Sequence, residues 1–498
     1  MDMHVDVSHA PATNTTADAG YYFAYAPRRG WLILHILTMV AGWVVLMPLA
    51  TILALNGSRH HPPVQLAFLA TNAVGIVFAT IYNTSTPDLY PGNAHHKMGW
   101  ALLWILAAQA AIGVLAAVVR SSPEEMGWSK ERARFMPIPT ECRRSDDSGH
   151  GGSMDHGSSD YERPDEDEEE WDPAESPRPS QHRWASLNKL EGLLSARVPH
   201  IFNRRFVWVA DFTYQLIARF LIPLGFTQIS TGIVTASGIF KGDAVFNGLA
   251  HFIKGGIFLL YGVFSLGRWL GAFSELGWAW NTAPGGSRAP TCETVESGLI
   301  FVYGCANVFL EHLAGWGGEW SHGDLQHVSI AFMFLGGGLL GLLVESRRIR
   351  ELLNAQPGAG NPLPALVIFL LGILMSSHHQ HSKLSTKIHT QWGSLLAGAA
   401  VLRMATYLLF FGREKSREPA RPPTEALAAF CLVAGGAVFM VSNKDTVAYL
   451  ERIGVDAMFS LTVTIGLTAL LCAWATVVVA VGAWARKREA TGEWKVEA

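Results

Sequence analysis

The sequence predicts an all-α polytopic membrane protein, and three observations predict it. Of 498 residues, 49% are hydrophobic and 16% charged, with a mean hydropathy of +0.21, too apolar for a soluble chain that also carries a long acidic run. Apolar runs of membrane-crossing length recur along the chain, since about 20 residues at about 1.5 Å rise cover the roughly 30 Å hydrocarbon layer. Basic residues gather in short blocks between those runs. A lone apolar segment in lipid has to satisfy its own backbone, which makes every run a helix.

Eleven segments meet the length criterion, near 31–56, 63–83, 97–120, 206–239, 246–269, 295–313, 325–346, 362–378, 388–411, 425–442 and 457–485. The fourth is flanked or interrupted by Arg204, Arg205, Asp211 and Arg219, so its first turns read as amphipathic and interfacial; the eighth and tenth are short. Residues 1–30 form a polar tail without a cleavable signal pattern, so the first helix serves as the insertion signal. Residues 31–120 make an N-terminal three-helix membrane domain, 204–485 a larger C-terminal one, and 486–498 a tail. Between the two domains, residues 121–203 contain "GHGGSMDHGSSD" and "DEDEEEWDPAESPRPS", whose low hydrophobicity, Pro, Ser and acidic run predict a disordered linker. Within it, His150, Met154 and His156 read as solvated residues, with chelation of a soft metal as the alternative.

Loop charge sets the expected orientation. With the N-terminus outside, the blocks Arg347, Arg348 and Arg350, then Arg413, Lys415, Arg417 and Arg421, then Arg486, Lys487 and Arg488 are all cytosolic, as are the linker and the C-terminus. Arg28 and Arg29 sit on the wrong flank of the first helix for this scheme. An endomembrane, vacuolar or plasma-membrane location is compatible with it, with the lipid bilayer as the one definite partner.

Several classes are excluded. A net charge of −3 with no basic groove offers no nucleic-acid footprint. The cysteines Cys142, Cys292, Cys305, Cys431 and Cys472 have neither paired nor metal-type spacing and read as small core residues. No nucleophile elbow, Walker loop or dinucleotide glycine fingerprint is present.

Histidine carries the chemistry. Under this topology thirteen of the 19 histidines fall on the outer side. Ionisable side chains within or at the ends of membrane helices are costly, and face bundle interiors. His35, His95 or His96, and His251 share nearly one depth on three different spans. Two neutral imidazoles facing each other between apolar walls are what a b-type haem needs. The stretches "NAHHKMGW" and "NGLAHFIKGG" repeat H-x-x-x-G, placing Gly99 and Gly255 one turn beyond His95 and His251. A glycine there leaves room for a flat macrocycle or for a close helix. The competing reading makes each histidine an interfacial polar residue and each glycine an ordinary packing contact.

These residues also carry a family resemblance. "HILTMVAGWVVLMPLATILAL", "HPPVQLAFLATNAVGIV" and "HHKMGWALLWILAAQAAIGVL" resemble successive core helices of the ascorbate-dependent transmembrane cytochromes b of the five-six-one type. His35, Trp43 and Pro48, then His61 and Gln65, then His95 or His96, Gly99 and Gln109 match that pattern in order. The likeness covers about a fifth of the chain and implies haem b and transmembrane electron transfer; the fourth core helix lacks a histidine of its own, His200 lying before it. Over its whole length the chain resembles the fungal Ytp-type membrane proteins, through residues 228–281 and 309–348. That resemblance implies an N-terminal helical domain near 20–120, a larger one near 200–485, and a likeness to electron-transport proteins.

The C-terminal half holds a denser constellation. Glu311, His312, His322, Asp324 and His327 precede or open one span, and "SSHHQHSKLSTKIHTQWG" adds His378, His379, His381 and His389. A continuous helix would align His378 with His389, whereas a turn between them would fold both toward His322 and His327. Nitrogen and carboxylate oxygen together suit zinc, copper(II) or iron(II); the competing reading has these histidines bonding loop backbone. Three functions are therefore open: a haem b electron carrier passing electrons between an unidentified donor and acceptor, with an outer-face metal or acceptor site; a transition-metal transporter or metal-binding protein without haem; and a non-catalytic scaffold. Oligomeric state is not legible.

Overall fold

The computed structural model describes residues 20–120, 204–282, 290–313, 316–354, 360–378, 380–416 and 418–491. The predicted linker 121–203, and with it His150, Met154, His156, Cys142 and His200, lies outside the described residues, as do His4, His9 and His379.

The described chain is all-α. Its helices are α1 (Arg29–Leu55), α2 (His61–Thr84), α3 (Ala94–Arg120), α4 (Arg204–Ser237), α5 (Ala244–Leu270), α6 (Cys292–Leu310), α7 (His322–Glu345), α8 (Arg347–Leu352), α9 (Leu363–Ser376), α10 (Lys383–Leu409), α11 (Pro423–Val441), α12 (Lys444–Arg452) and α13 (Ala457–Thr491). Nine of these, α1 to α5, α7, α10, α11 and α13, are long and apolar enough to cross a membrane. The other two expected spans are helical where expected but different in kind. α9 has 14 residues, about 21 Å at about 1.5 Å per residue and short of the hydrocarbon thickness. α6 has 19 residues but carries Glu293 and Glu296. Large apolar side chains such as Leu66, Trp104, Leu467 and Leu470 stand exposed, as lipid-facing residues of an integral membrane protein do.

Local sequence explains the boundaries. Pro62 and Pro63 open α2, where a missing N–H costs nothing. Ser321 and Asp324 form a reciprocal capping box at the start of α7, and Thr291, Ser382 and Asn443 cap α6, α10 and α12. α5 ends on Gly271, whose φ of 95° is a left-handed conformation that glycine adopts without cost. Inside α1, Ala41–Leu46 form a π turn directly before Pro48. Proline has no N–H to give the carbonyl four residues back, so the ladder opens there. That carbonyl belongs to Val44, and it accepts instead from the indole of Trp474 on α13 at 2.7 Å.

The chain divides into two compact units, Met1–Leu106 with Ile217–Glu493 and Ala107–Leu216 with Trp494–Ala498. In the second, Gly113 of α3 lies against the Tyr214 ring of α4. The first holds two apolar cores. Trp43, Met47, Phe68, Leu102, Leu106 and Leu221 pack together, and a larger cluster joins Phe258, Phe334, Ile388, Trp392, Leu396, Val438 and Phe439. Small residues set the helix spacing, because lipid supplies no hydrophobic drive and packing has to come from close contact. At Gly255 an added Cβ would stand 2.6 Å from the Gly436 carbonyl oxygen, so α5 and α11 touch backbone to backbone. Gly372 and Gly393 do the same for α9 and α10.

Candidate functional site

The first histidine pair joins α1 to α3. His35 and His95 have ring centres 6.2 Å apart with planes at 74°. His35 Nδ1 lies 2.9 Å from the Gly75 carbonyl of α2. His95 Nδ1 lies 3.1 Å from the Gln228 carbonyl of α4, and Gln228 Nε2 lies 3.1 Å from the His95 carbonyl. Gln228 Nε2 also lies 3.0 Å from His95 Nδ1, so that nitrogen has both an amide donor and a carbonyl acceptor beside it. In His35, Nδ1–H is spent on the Gly75 carbonyl and Nε2 carries the lone pair. No hydrogen bond engages either Nε2 among the described residues. Fixing one ring nitrogen on a carbonyl orients the other for a metal.

The structure separates His95 from its neighbour. His95 is turned inward, where an added Cβ at Gly232 would stand 3.0 Å from its ring. His96 is exposed, its ring beside Trp100. Of the two glycines, Gly99 faces the Gln228 amide, while Gly255 is filled by the α11 backbone. At Gly255 the spacing therefore serves the close helix.

A second pair was not foreseen as a pair. His251 of α5 and His389 of α10 have ring centres 6.0 Å apart with planes at 86°. Their Nδ1 atoms each lie 2.8 Å from a carbonyl one turn back, those of Asn247 and Ser385. His389 is buried, and aromatic rings enclose the pair: Phe439 meets His251 edge-on at 5.5 Å and stacks on Trp392 at 4.0 Å. A turn does separate His378 from His389; His378 comes within 5.5 Å of His327 between ring centres, and His389 lies within electrostatic reach of both.

The remaining members of the expected outer cluster fall into two groups. Glu311, at the end of α6, accepts from Lys254 of α5, from Asn307 at 2.6 Å, and pairs with His327 Nδ1 at 3.1 Å. Separately, His312 stacks on Trp320 at 4.1 Å and meets Asp324 at 3.2 Å, the same carboxylate that closes the α7 capping box. His322 and His381 are exposed. Among the described residues no three His, Cys, Asp or Glu side chains are grouped so as to hold a metal ion.

Sequence reading missed a second polar centre deep in the same unit. Arg403 of α10 donates through Nε to both Glu425 oxygens at 2.7 and 2.8 Å and through Nη1 to Glu296 at 3.3 Å. Glu296 also accepts from Arg268 at 2.9 Å and from the Tyr261 hydroxyl at 2.6 Å. The guanidinium groups of Arg268 and Arg403 lie 4.6 and 5.0 Å from the Trp280 ring. The available signal was charge inside otherwise apolar spans, which marks function or a buried pair. A cavity of about 420 Å³, almost wholly apolar, is lined at its polar points by Lys254, Glu311 and His327 and by Glu296, Tyr261 and Arg403.

Comparison with known proteins agrees with this architecture. Residues 224–483 match the family described as protein YTP1-like, C-terminal, and residues 15–119 match a domain of unknown function, DUF2427. The chain is 35% identical over 477 residues to the uncharacterized membrane protein C3B8.06 of Schizosaccharomyces pombe, covering 89% of this chain and 91% of that one. It is 42% identical over 299 residues to the uncharacterized membrane protein YCR061W of Saccharomyces cerevisiae, covering 53% and 47%. With protein YTP1 of the same yeast it shares 30% identity over 209 residues, covering 42% and 41%. No solved structure matches. A family match over more than half of its length and a relative aligned almost end to end place this integral membrane protein in the Ytp1-like family of yeast membrane proteins.

Proposed function

We propose that the protein is a membrane electron carrier that binds haem b between His35 and His95. The observation that carries the reading is the geometry of that pair. A metal bound through one imidazole nitrogen at about 2 Å lies about 3 Å from the ring centre, so two rings on opposite sides of one ion stand about 6 Å apart. The observed separation is 6.2 Å. His35 holds Nδ1 on the Gly75 carbonyl and leaves Nε2 to ligate, and His95 does the same in the tautomer that donates to the Gln228 carbonyl, so the donors fit the group. Bound there, the haem supplies reversible one-electron exchange. The chain does the positioning: Gly75 and Gln228 hold the two rings in place, and the neighbouring core of Trp43, Met47, Phe68 and Leu102 keeps water out. Outward placement of this end of α1 and α3 follows from the loop-charge reading and belongs to the same proposal.

A transition-metal transporter needs a site of several ligands, and the described residues group none. The test is a reduced-minus-oxidised visible spectrum of the purified protein. The reading requires a Soret and an α band that diminish in His35→Ala and persist in His96→Ala. A protein without either band, or one whose bands survive loss of both His35 and His95, would sink it.

A further inference from the structure

We propose that the apolar cavity framed by α5, α6, α7, α9, α10 and α11 binds one sterol-class lipid, whose hydroxyl donates a hydrogen bond to the Glu296 carboxylate. The cavity lies within the first compact unit and shares no residue with the His35–His95 pair, so this proposal and the electron-carrier reading stand or fall separately.

Glu296 supplies the polar half of the site. It borders the cavity on α6 and is only 5% exposed, so its charge has to be met inside the protein. Every bond it accepts falls on Oε1: from the Tyr261 hydroxyl at 2.6 Å, Arg268 at 2.9 Å, Arg403 at 3.3 Å and the Cys292 thiol at 3.5 Å. Oε2 is buried and has no partner among the described residues. Tyr261 cannot serve both oxygens, because its one O–H is spent on Oε1 while its oxygen accepts from Arg403 at 3.2 Å. A buried acceptor without a donor is costly, and a hydroxyl arriving in the cavity removes that cost.

The remaining surface selects the body that carries the hydroxyl. At the far end Lys254, Asn307 and His327 converge on Glu311 and answer one another. Glu296 and Asn307 stand on the same helix, about 16 Å apart at about 1.5 Å per residue, and the walls between them are hydrocarbon and aromatic, Phe258, Phe334 and Phe439 among them. Leu299 and Val302 line the cavity and are also exposed on the lipid-facing side of α6, so the opening is lateral, toward the bilayer. A volume of about 420 Å³ falls near the lower end of the roughly 300 to 1,000 Å³ of small-ligand pockets, room for one compact body and not for a two-chain phospholipid. The unmet atom is a carboxylate oxygen, which repels the anionic head of a fatty acid and finds no donor on an oxidised quinone. A rigid ring system also surrenders less conformational freedom on binding than a flexible chain.

The experiment is saturation binding of tritiated cholesterol to the full-length purified protein in sterol-free detergent. One site per chain is expected, displaced by unlabelled cholesterol. Cholesterol 3-methyl ether, which keeps the body and loses the donor, should compete about tenfold or more weakly, as loss of one hydrogen bond to a charged group implies. Leu299→Trp and Val302→Trp fill the mouth from exposed positions and should each weaken binding at least tenfold with the denaturant unfolding midpoint unchanged. Absence of saturable binding overturns the proposal, as does an ether that competes as well as the alcohol. Binding untouched by both tryptophan variants places the sterol elsewhere and also overturns it. So does displacement of the label by oleate or ubiquinol at concentrations where unlabelled cholesterol is without effect.

Discussion

Neutralising Glu425 is predicted to cost about 3 to 5 kcal/mol of stability, the range for removing one partner of a buried ion pair. Glu425 is fully buried on α11, and both of its oxygens accept from Arg403 Nε, at 2.7 and 2.8 Å. At an effective dielectric of about 20, unit charges about 4 Å apart attract by about 4 kcal/mol. Glu425→Gln keeps size and one acceptor but removes that attraction. The nearest substitute carboxylate is Glu296, 3.3 Å from Arg403, and it is already shared with Arg268 and Tyr261. Compensation is therefore partial, and a loss near 3 kcal/mol is expected, on the order of a hundredfold in the folding equilibrium.

The assay is denaturant unfolding of the detergent-solubilised protein, followed by tryptophan fluorescence, since the Trp280 ring lies 4.6 and 5.0 Å from the two guanidinium groups. A companion variant tests the cause. Replacing both partners, Arg403→Met with Glu425→Leu, removes the uncompensated charge and should recover to within about 1 kcal/mol of the parent. A loss below about 1 kcal/mol in Glu425→Gln, or a double variant worse than the single, would refute a desolvated pair as the source of stability.

Three further outcomes are expected. Gly255→Leu forces α5 away from the Gly436 carbonyl and should destabilise by about 1 to 3 kcal/mol, whereas Gly466→Ala, with open space around it, should be neutral in the same unfolding experiment. Ser321→Ala deletes the capping hydroxyl that accepts from Asp324 N at 3.1 Å and should cost about 1 kcal/mol; an unchanged midpoint would contradict the capping assignment. Trp474→Phe keeps an aromatic, though smaller, side chain but leaves the Val44 carbonyl without its indole donor, for a loss of about 1 to 2 kcal/mol, and a neutral result would mean that another group takes over that acceptor.

The helices were legible because each apolar run has to satisfy its own backbone; α9 and α6 departed from the spanning pattern in length and in charge, two properties that a hydrophobic count blurs. His35 and His95 were legible as a pair because their helices adjoin and resemble a known order. His389 was read instead with His322, His327 and His378, all close to it in sequence or in depth. Its partner proved to be His251, and the choice is made by how α5 and α10 pack around α11, information that no local pattern holds. The repeat of H-x-x-x-G was real, yet its glycines do unlike work, because what fills a missing side chain depends on the neighbouring helix. Charge inside the spans was plainly visible, but the matching of Arg403 to Glu425 and Glu296 depends on three-dimensional pairing.

The indole of Trp474 bonded to the Val44 carbonyl bears on biogenesis. Among the described helices α1 is made before α13, so the Trp474 bond to the Val44 carbonyl forms only when α13 arrives. Arg486 reaching Asn56 at 3.1 Å extends the same seam toward the helix ends. Until α13 is made, the Val44 carbonyl lacks this indole donor, and an unpaired carbonyl is costly in lipid. Chain termination anywhere before α13 should therefore destabilise the opening helix as well as the missing end.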